Sequence, residues 1–401
     1  MNSQSPKTRF VVVAFIFLCG IGSGFLLFEL AAEAARDEIA LDIELGAWNA
    51  IIDVTALPKE LPAAHNAAVQ YLAAAAQLPA FSPDEIRLLD ETRIKLRTGE
   101  ADLQERVIAL ARRIPLKFVD LLARGNAQAG CDWIGGGLEI DDPKLGRDLV
   151  DVPVVAALHR GILLLLLASL ESRDWKSVVV LLKHGFVLSE RLSLHPSSIA
   201  DLLRFGLDDT LLNTALFVTN EMPFVEESLE DLIASLRYRD AFVDHMAKIG
   251  REVLRYHQEG ALLQMYRAEE LRPGDVPGYL ADVLSLLRVS MINWAHSPYL
   301  SERFQPDTNA TPFRRDMLGP MHRLHVWVVP RLEARRIVVL AGLRLERIKA
   351  RTGSYPEEGS LQLPANPFTG DKLKYEWSGS GYELSVQDAE GSVVAMVRRR
   401  S

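Results

Sequence analysis

Residues 153–192 read PVVAALHRGILLLLLASLESRDWKSVVVLLKHGFVLSERL, and the fold class follows from this stretch. Apolar side chains recur at helical spacing on both sides of Arg173–Asp174–Trp175, which has the polar, turn-forming character of a tight connection. The spacing predicts a helix over 153–171, a turn, and a return helix over 176–192. The apolar run Ile162–Leu170 is about nine residues long, too short to cross a bilayer, so it reads as a buried helix. Two amphipathic helices, a short turn, and alanine or glycine where helices touch make an antiparallel hairpin of the tetratricopeptide type.

Outward from this hairpin the same texture continues. Upstream, residues 30–56 alternate acidic and apolar positions as a helix would, and Leu57–Pro62 is a proline-bracketed break. Ala63–Leu78 is alanine-rich and helical. Ser82 is an N-cap ahead of Pro83, and Glu85 three residues on completes a capping box for a helix reaching Thr98. A further amphipathic helix covers Asp102–Gly125, interrupted near Pro115. Downstream, helices are expected at Ser197–Asn220, Phe224–Ser235, Asp240–Gln258, Asp275–Trp294 and Gly319–Thr352. A true tetratricopeptide array would repeat itself about every 34 residues. No sustained consensus exists here, so the expected architecture is mainly α: an irregular α-solenoid or a helical-hairpin bundle, each helix burying one stripe.

The N-terminus carries a different signal. Phe10–Phe28 reads FVVVAFIFLCGIGSGFLLF, without charge. As a helix it spans roughly 28 Å, close to the hydrocarbon thickness of a bilayer. A secretory signal has a shorter core of about 7–15 residues, although Ala32–Glu33–Ala34 mimics a cleavage site. Lys7 and Arg9 precede the run; Glu29, Glu33, Asp37 and Glu38 follow it. The positive-inside rule then places residues 1–9 in the cytoplasm, 10–28 as a signal-anchor helix in the inner membrane, and the bulk in the periplasm or otherwise outside. Gly20 and Gly24 form a GxxxG, which lets two such helices approach as a homodimer. Gly24–Phe25 with Glu29 looks like a prepilin processing site, but in prepilins the apolar run follows that site and here it precedes it.

Of 401 residues, 48% are hydrophobic, enough for a packed core and against disorder. The formal net charge is −8, and about −10 once Lys7 and Arg9 are set aside. An acidic exported part disfavours nucleic acid and anionic lipid as partners, with Arg398–Arg399–Arg400 a local exception. The two cysteines, Cys19 and Cys131, lie in the apolar run and far downstream, so no intrachain disulfide framework exists and Cys131 reads as a buried thiol.

The last fifty residues change character. A long helix over Leu332–Arg351 ends at Thr352–Gly353. Leu373–Trp377 and Tyr382–Val386 alternate around Ser378–Gly379–Ser380–Gly381 as a hairpin does, and Ser392–Val397 adds a third strand. The order is helix, Gly353–Ser354–Tyr355–Pro356, Asn366–Pro367–Phe368–Thr369–Gly370, Leu373–Lys374–Tyr375 and Gly381–Tyr382–Glu383–Leu384. In this order the stretch resembles the C-terminal part of type II secretion pseudopilins, over about one-seventh of the chain. Some pseudopilins bind calcium in the terminal loop; Asp371 and Asp388 are the oxygen ligands nearby, without DxDxDG spacing. The larger part, with Asn66–Ala67–Ala68 and Cys131–Asp132–Trp133, also looks like a group of bacterial exported helical proteins ending in this module. That resemblance implies architecture and bacterial origin, and no activity.

Chemistry is weakly signalled. His322 and His325 share a helix face but lack a third zinc ligand. In Cys131–Asp132–Trp133 the carboxylate opposes thiolate formation, so Trp133 is read as a plug between helices, Asp132 as a turn cap and Gly135–Gly137 as a bend. Gly135–Gly137 lacks the Lys–Ser/Thr of a phosphate loop. Glu226–Glu227 and Glu230–Asp231 suit the first turns of a helix after Pro223. The Asn309–Ala310–Thr311 sequon is followed by Pro312. GxSxG, HExxH and Cys-x-x-Cys are absent.

These readings give four segments: 1–9, 10–28, an exported helical domain 29–330, and a helix-plus-sheet module 331–401. The expected function is a membrane-anchored scaffold or binding protein of the cell envelope. It would hold a peptide or protein partner, associate with secretion or pilus-type machinery, and carry neither metal nor cofactor. The alternative is a cell-wall glycan hydrolase with one catalytic glutamate, for which Glu190, Glu226 and Glu259 are available. A lesser reading gives carbohydrate binding to Tyr355, Tyr375, Trp377 and Tyr382.

Overall fold

Asn66 caps the first α-helix of the described fold. In a computed structural model the residues described are 62–98, 105–133, 152–195, 198–223, 226–236, 248, 328–358, 361–378, 381–388 and 391–399, all within one of the chain's two compact units. The expected membrane helix 10–28 with Gly20 and Gly24, and the helices at 30–56 and 275–294, lie outside the described residues, as does nearly all of 240–258.

Helix α1 (Ala67–Ala75) follows a single 3-10 turn. The Asn66 side chain caps it, accepting from the Ala68 N–H at 3.0 Å. The same amide bonds the main chain of Asp132 on both sides: Nδ2 donates to its carbonyl at 2.6 Å, and Oδ1 accepts from its N–H at 2.8 Å. The capping side chain of this corner is therefore Asn66; Asp132 supplies backbone to it. Trp133 does plug a gap between elements: it is buried and stacks on Tyr71 of α1 at 5.5 Å.

Helix α2 (Pro83–Thr98) opens on the expected capping box. The Ser82 N–H donates to Glu85 at 2.7 Å and the Glu85 N–H to Ser82 Oγ at 3.3 Å. Pro115 divides the next helical stretch into α3 (Glu105–Ala111) and α4 (Leu116–Asn126). Helices α5 (Val152–Glu171) and α6 (Trp175–Ser193) form the hairpin read from the sequence. Its turn places Arg173 at φ 53°, and Asp174 caps α6 by accepting from the Ser177 N–H at 3.2 Å. By length and composition α5 could cross a bilayer. Here its Val155, Leu158, Ile162, Leu163, Leu166 and Leu170 are buried among α1, α3, α6 and the next helix.

That next helix, α7 (Ser198–Glu221), is the hub. It packs against α2, α5, α6, the long helix α9 (Val329–Thr352) and the last strand. Helix α8 (Glu226–Ser235) begins in acidic residues, as expected after Pro223, and packs on α6 and α9. Helix α9 ends at Gly353, whose φ of +84° is the left-handed C-cap that glycine adopts freely.

Strands β1 (Lys374–Trp377), β2 (Tyr382–Gln387) and β3 (Val393–Arg399) form an antiparallel sheet in sequence order, with Trp377 opposite Tyr382 across the expected turn. Its inner face (Tyr382, Leu384, Val386, Ala395 and Val397) packs on Ala334, Val338, Ala341 and Leu345 of α9. The fold is thus mainly helical, with a small antiparallel sheet set on a long helix.

The sheet also closes α7. Arg399 donates to the carbonyls of Asn220 and Met222, both at 2.6 Å, and the Arg398 N–H donates to Asn220 Oδ1 at 2.8 Å. These bonds satisfy carbonyls that a helix end leaves without partners. Close packing holds α7 to α9 at Gly342, where an added Cβ would lie 2.8 Å from Thr219 Cγ2. That methyl cannot swing away, because Thr219 Oγ1 is bonded to Ala215 O at 2.7 Å. Gly342→Ala is therefore expected to lose on the order of 1 kcal/mol: overpacking costs about 1–3 and alanine's helix propensity returns up to about 1. Urea unfolding of the variant against wild type measures this, and unchanged stability would contradict the contact.

Candidate functional site

Helix α7 buries charge. Asp201, Arg204 and Asp208 stand three and four residues apart, so they share one stripe of the helix. Asp201 is fully buried and paired with Lys248, whose Nζ donates to it and to Ser193 O, each at 2.8 Å. Arg204 lies between the two carboxylates, 3.7 Å from Asp201 and 3.6 Å from Asp208, with its guanidinium over the Phe205 ring. Ser189 of α6 donates a short hydrogen bond to Asp208. Burial pushes the Asp208 carboxyl up, against the opposing pull of Arg204 and the Ser189 hydrogen bond. On another side of the helix Asp209 pairs with Arg335 of α9, and Thr210 bonds His159 of α5 at 2.9 Å.

Arg204 and Asp208 open on a cavity of about 200 Å³. Helix α6 contributes Phe186, Ser189, Glu190 and Ser193, and α7 adds Leu212. Ser235 and Leu236 at the end of α8 and Arg336 of α9 complete the described wall. Arg336 is held by Glu333, Nε donating at 2.8 Å and Nη2 at 2.5 Å. None of the lining residues named is a histidine, and Ser189 bonds a carboxyl, so no serine–histidine pair for acyl transfer is formed there. What the arrangement provides is two guanidinium groups, two carboxyl groups, three hydroxyls and an apolar wall around a space for a small ligand.

Of the glutamates offered by the sequence, Glu190 is exposed at the rim of this cavity. The Glu226 side chain and Glu259 lie outside the described residues, as do His322, His325, Asn309 and Gly135–Gly137. Glu230 is bonded by Arg347 at 3.0 Å and Arg351 at 3.2 Å, and Asp231 by Lys183 at 3.0 Å, so both tie helices together. Burial pushes the Cys131 thiol up to about 12, which keeps it protonated and unreactive.

The aromatic surface imagined on the C-terminal module does not form. Tyr355 and Tyr382 are buried against each other, 4.9 Å apart edge to face, and Tyr355 donates to the buried Glu346 at 2.8 Å. Tyr375 is half-buried, its hydroxyl spent on Pro356 O at 2.6 Å, and Trp377 alone of the four is exposed. Rings that large are worth more in the core of a small sheet than on its outside. Asp388 accepts from the Ser392 N–H at 2.7 Å within the β2–β3 turn. Among the described residues no three His, Cys, Asp or Glu converge as metal ligands do.

Asp208 and Arg204 escaped the sequence reading. The available signal was a charged stripe with helical period in an otherwise apolar segment, a pattern that usually marks a solvated face.

Two histidines flank this network, His159 half-buried and His195 buried. Burial pushes His159 down to about 4, with Arg93 and Arg160 adding to it and Asp209 opposing; burial and Lys248 do the same to His195, opposed by Asp132 and Asp201. A depressed histidine favours the neutral form in the fold. The stability it contributes is complete above the unfolded value of 6.5 and is lost as pH falls towards 4. The unfolding free energy is expected to drop from pH 7 to pH 4.5, by up to about 3 kcal/mol per histidine. His195→Gln is expected to flatten that slope; an unchanged slope would contradict the assignment.

Compared with known proteins, the chain matches no family model, no curated protein and no solved structure.

Proposed function

We propose that the chain is a membrane-anchored binding protein of the bacterial cell envelope. Residues 10–28 tether it and the helical unit, on the outer side of the inner membrane, receives a peptide or protein end. The observation that carries the binding reading is the cavity walled by α6, α7, α8 and α9 around a buried arginine. The stacking of α5 on α6 and α6 on α7 supports an irregular α-solenoid, in which such grooves form between successive helices. The sequence resemblance of residues 332–390 to pseudopilin C-termini motivates docking on secretion or pilus-type machinery. The uncharged run Phe10–Phe28, preceded by Lys7 and Arg9, supports the tether.

Two measurements on living cells test this. A phosphatase fused after Ser401 is expected to be active, since that reporter works only outside the cytoplasm. Cross-linking in membranes followed by purification of the full chain is expected to recover an envelope protein. An inactive reporter, or a chain that cross-links to nothing, would sink the proposal.

The hydrolase reading keeps one observation of its own: Asp208, with its carboxyl pushed up by burial, shares a cavity with Glu190. Two carboxyl groups in unlike environments are how glycan hydrolases divide acid from base. The cavity, however, has room for about one residue or sugar ring rather than an extended strand. Clearing of purified cell walls by the wild type, reduced at least about a hundredfold in Asp208→Asn, would favour it; absence of clearing would remove it.

A further inference from the structure

Arg204 is left unfinished by the protein's own groups. Its side chain is 4% exposed, yet its Nε has no hydrogen-bond partner. Both flanking carboxylates stand beyond hydrogen-bond length, at 3.6 and 3.7 Å. One of them, Asp201, is engaged at 2.8 Å by Lys248. The other, Asp208, is shifted by burial towards its neutral form and already accepts from Ser189. A guanidinium taken out of water with so little acceptor around it is costly. Arg336, which α9 adds to the lining, has no such deficit, because Glu333 grips it through two bonds.

The rest of the lining narrows the ligand. Ser189, Ser193 and Ser235 give their hydroxyl hydrogens to Asp208, Glu190 O and Asp231 O. Each hydroxyl oxygen therefore has lone pairs for a donor arriving from the cavity. Phe186, Leu212 and Leu236 add an apolar wall.

We infer that the cavity binds a carboxylate with a neighbouring N–H and a small apolar side chain, the carboxylate completing Arg204 and the N–H facing the serine hydroxyls. This rests on the binding-protein reading above and gives it a ligand class. A peptide's carboxyl terminus and a free amino acid both offer that chemistry.

The test is calorimetric titration of the full chain in detergent with N-acetyl-dialanine, its carboxamide and free alanine. A free acid, N-acetyl-dialanine or alanine, is expected to bind saturably. The carboxamide is expected to bind at least about tenfold more weakly than the peptide acid, the cost of losing a charge-assisted bidentate pair. The ratio of peptide acid to alanine tells a peptide end from a free amino acid. Arg204→Gln is expected to abolish binding. Because that buried substitution can disturb folding, Ser235→Trp is the second variant. It fills the cavity from a half-buried position and is expected to abolish binding with the unfolding temperature unchanged. Equal binding of acid and carboxamide, absence of binding by either free acid, or undiminished binding in Ser235→Trp overturns the assignment. If membrane cross-linking still captures a partner in that event, the ligand assignment alone falls; loss of both removes the binding-protein reading too.

Discussion

Helix α7 passes through the described core with charged and hydroxyl side chains on the faces it buries, and each has to be answered. Thr210, Asn213, Thr214 and Thr219 are answered within the helix, by hydrogen bonds to carbonyls one turn back. The charged groups have no such recourse. Asp201 needs Lys248, Asp209 needs Arg335, and Asp208 needs Ser189. Partners so placed fix which helices surround α7 and in what register, because a buried charge without its counterpart costs far more than a hydrophobic mismatch. The site and the fold are in this sense the same object: the residues that open on the cavity belong to the network that orients the helices.

Local features were legible in the sequence because their causes are local. The capping box at Ser82 and Glu85, the break at Pro115, the turn before Trp175 and the hairpin at Ser378–Gly381 each depend on residues within a few positions of one another. The glycine stop of α9 is of the same kind. Long-range pairings left no comparable trace. Lys248 lies 47 residues from Asp201, and Arg335 lies 126 from Asp209. An isolated lysine or a pair of aspartates in a helix looks the same whether it faces water or another helix. The Cys131–Asp132–Trp133 corner shows the intermediate case. The burial of Trp133 follows from its size, but the residue that organises the corner is Asn66, which the sequence reading places inside the alanine-rich helix 63–78.

The carboxyl-terminal sheet follows the same logic at smaller scale. Its aromatics were readable as a ligand surface because tyrosine and tryptophan serve both purposes. A three-stranded sheet has little apolar volume of its own, and Tyr355 and Tyr382 fill the space between it and α9. Glu346 is drawn into that interior by the Tyr355 hydroxyl and by Arg399, 3.6 Å away. Its carboxylate thereby links the sheet's core to the strand that reaches α7.

That strand has a consequence for how the polypeptide is made. Ribosomes release the chain from its amino end, and Arg399 follows Met222 by 177 positions. Throughout elongation the carboxyl end of α7 must wait uncapped, its carbonyls open to water, until Arg399 has been added. The contact that Arg399 makes with this helix end can close only after β3 has been made.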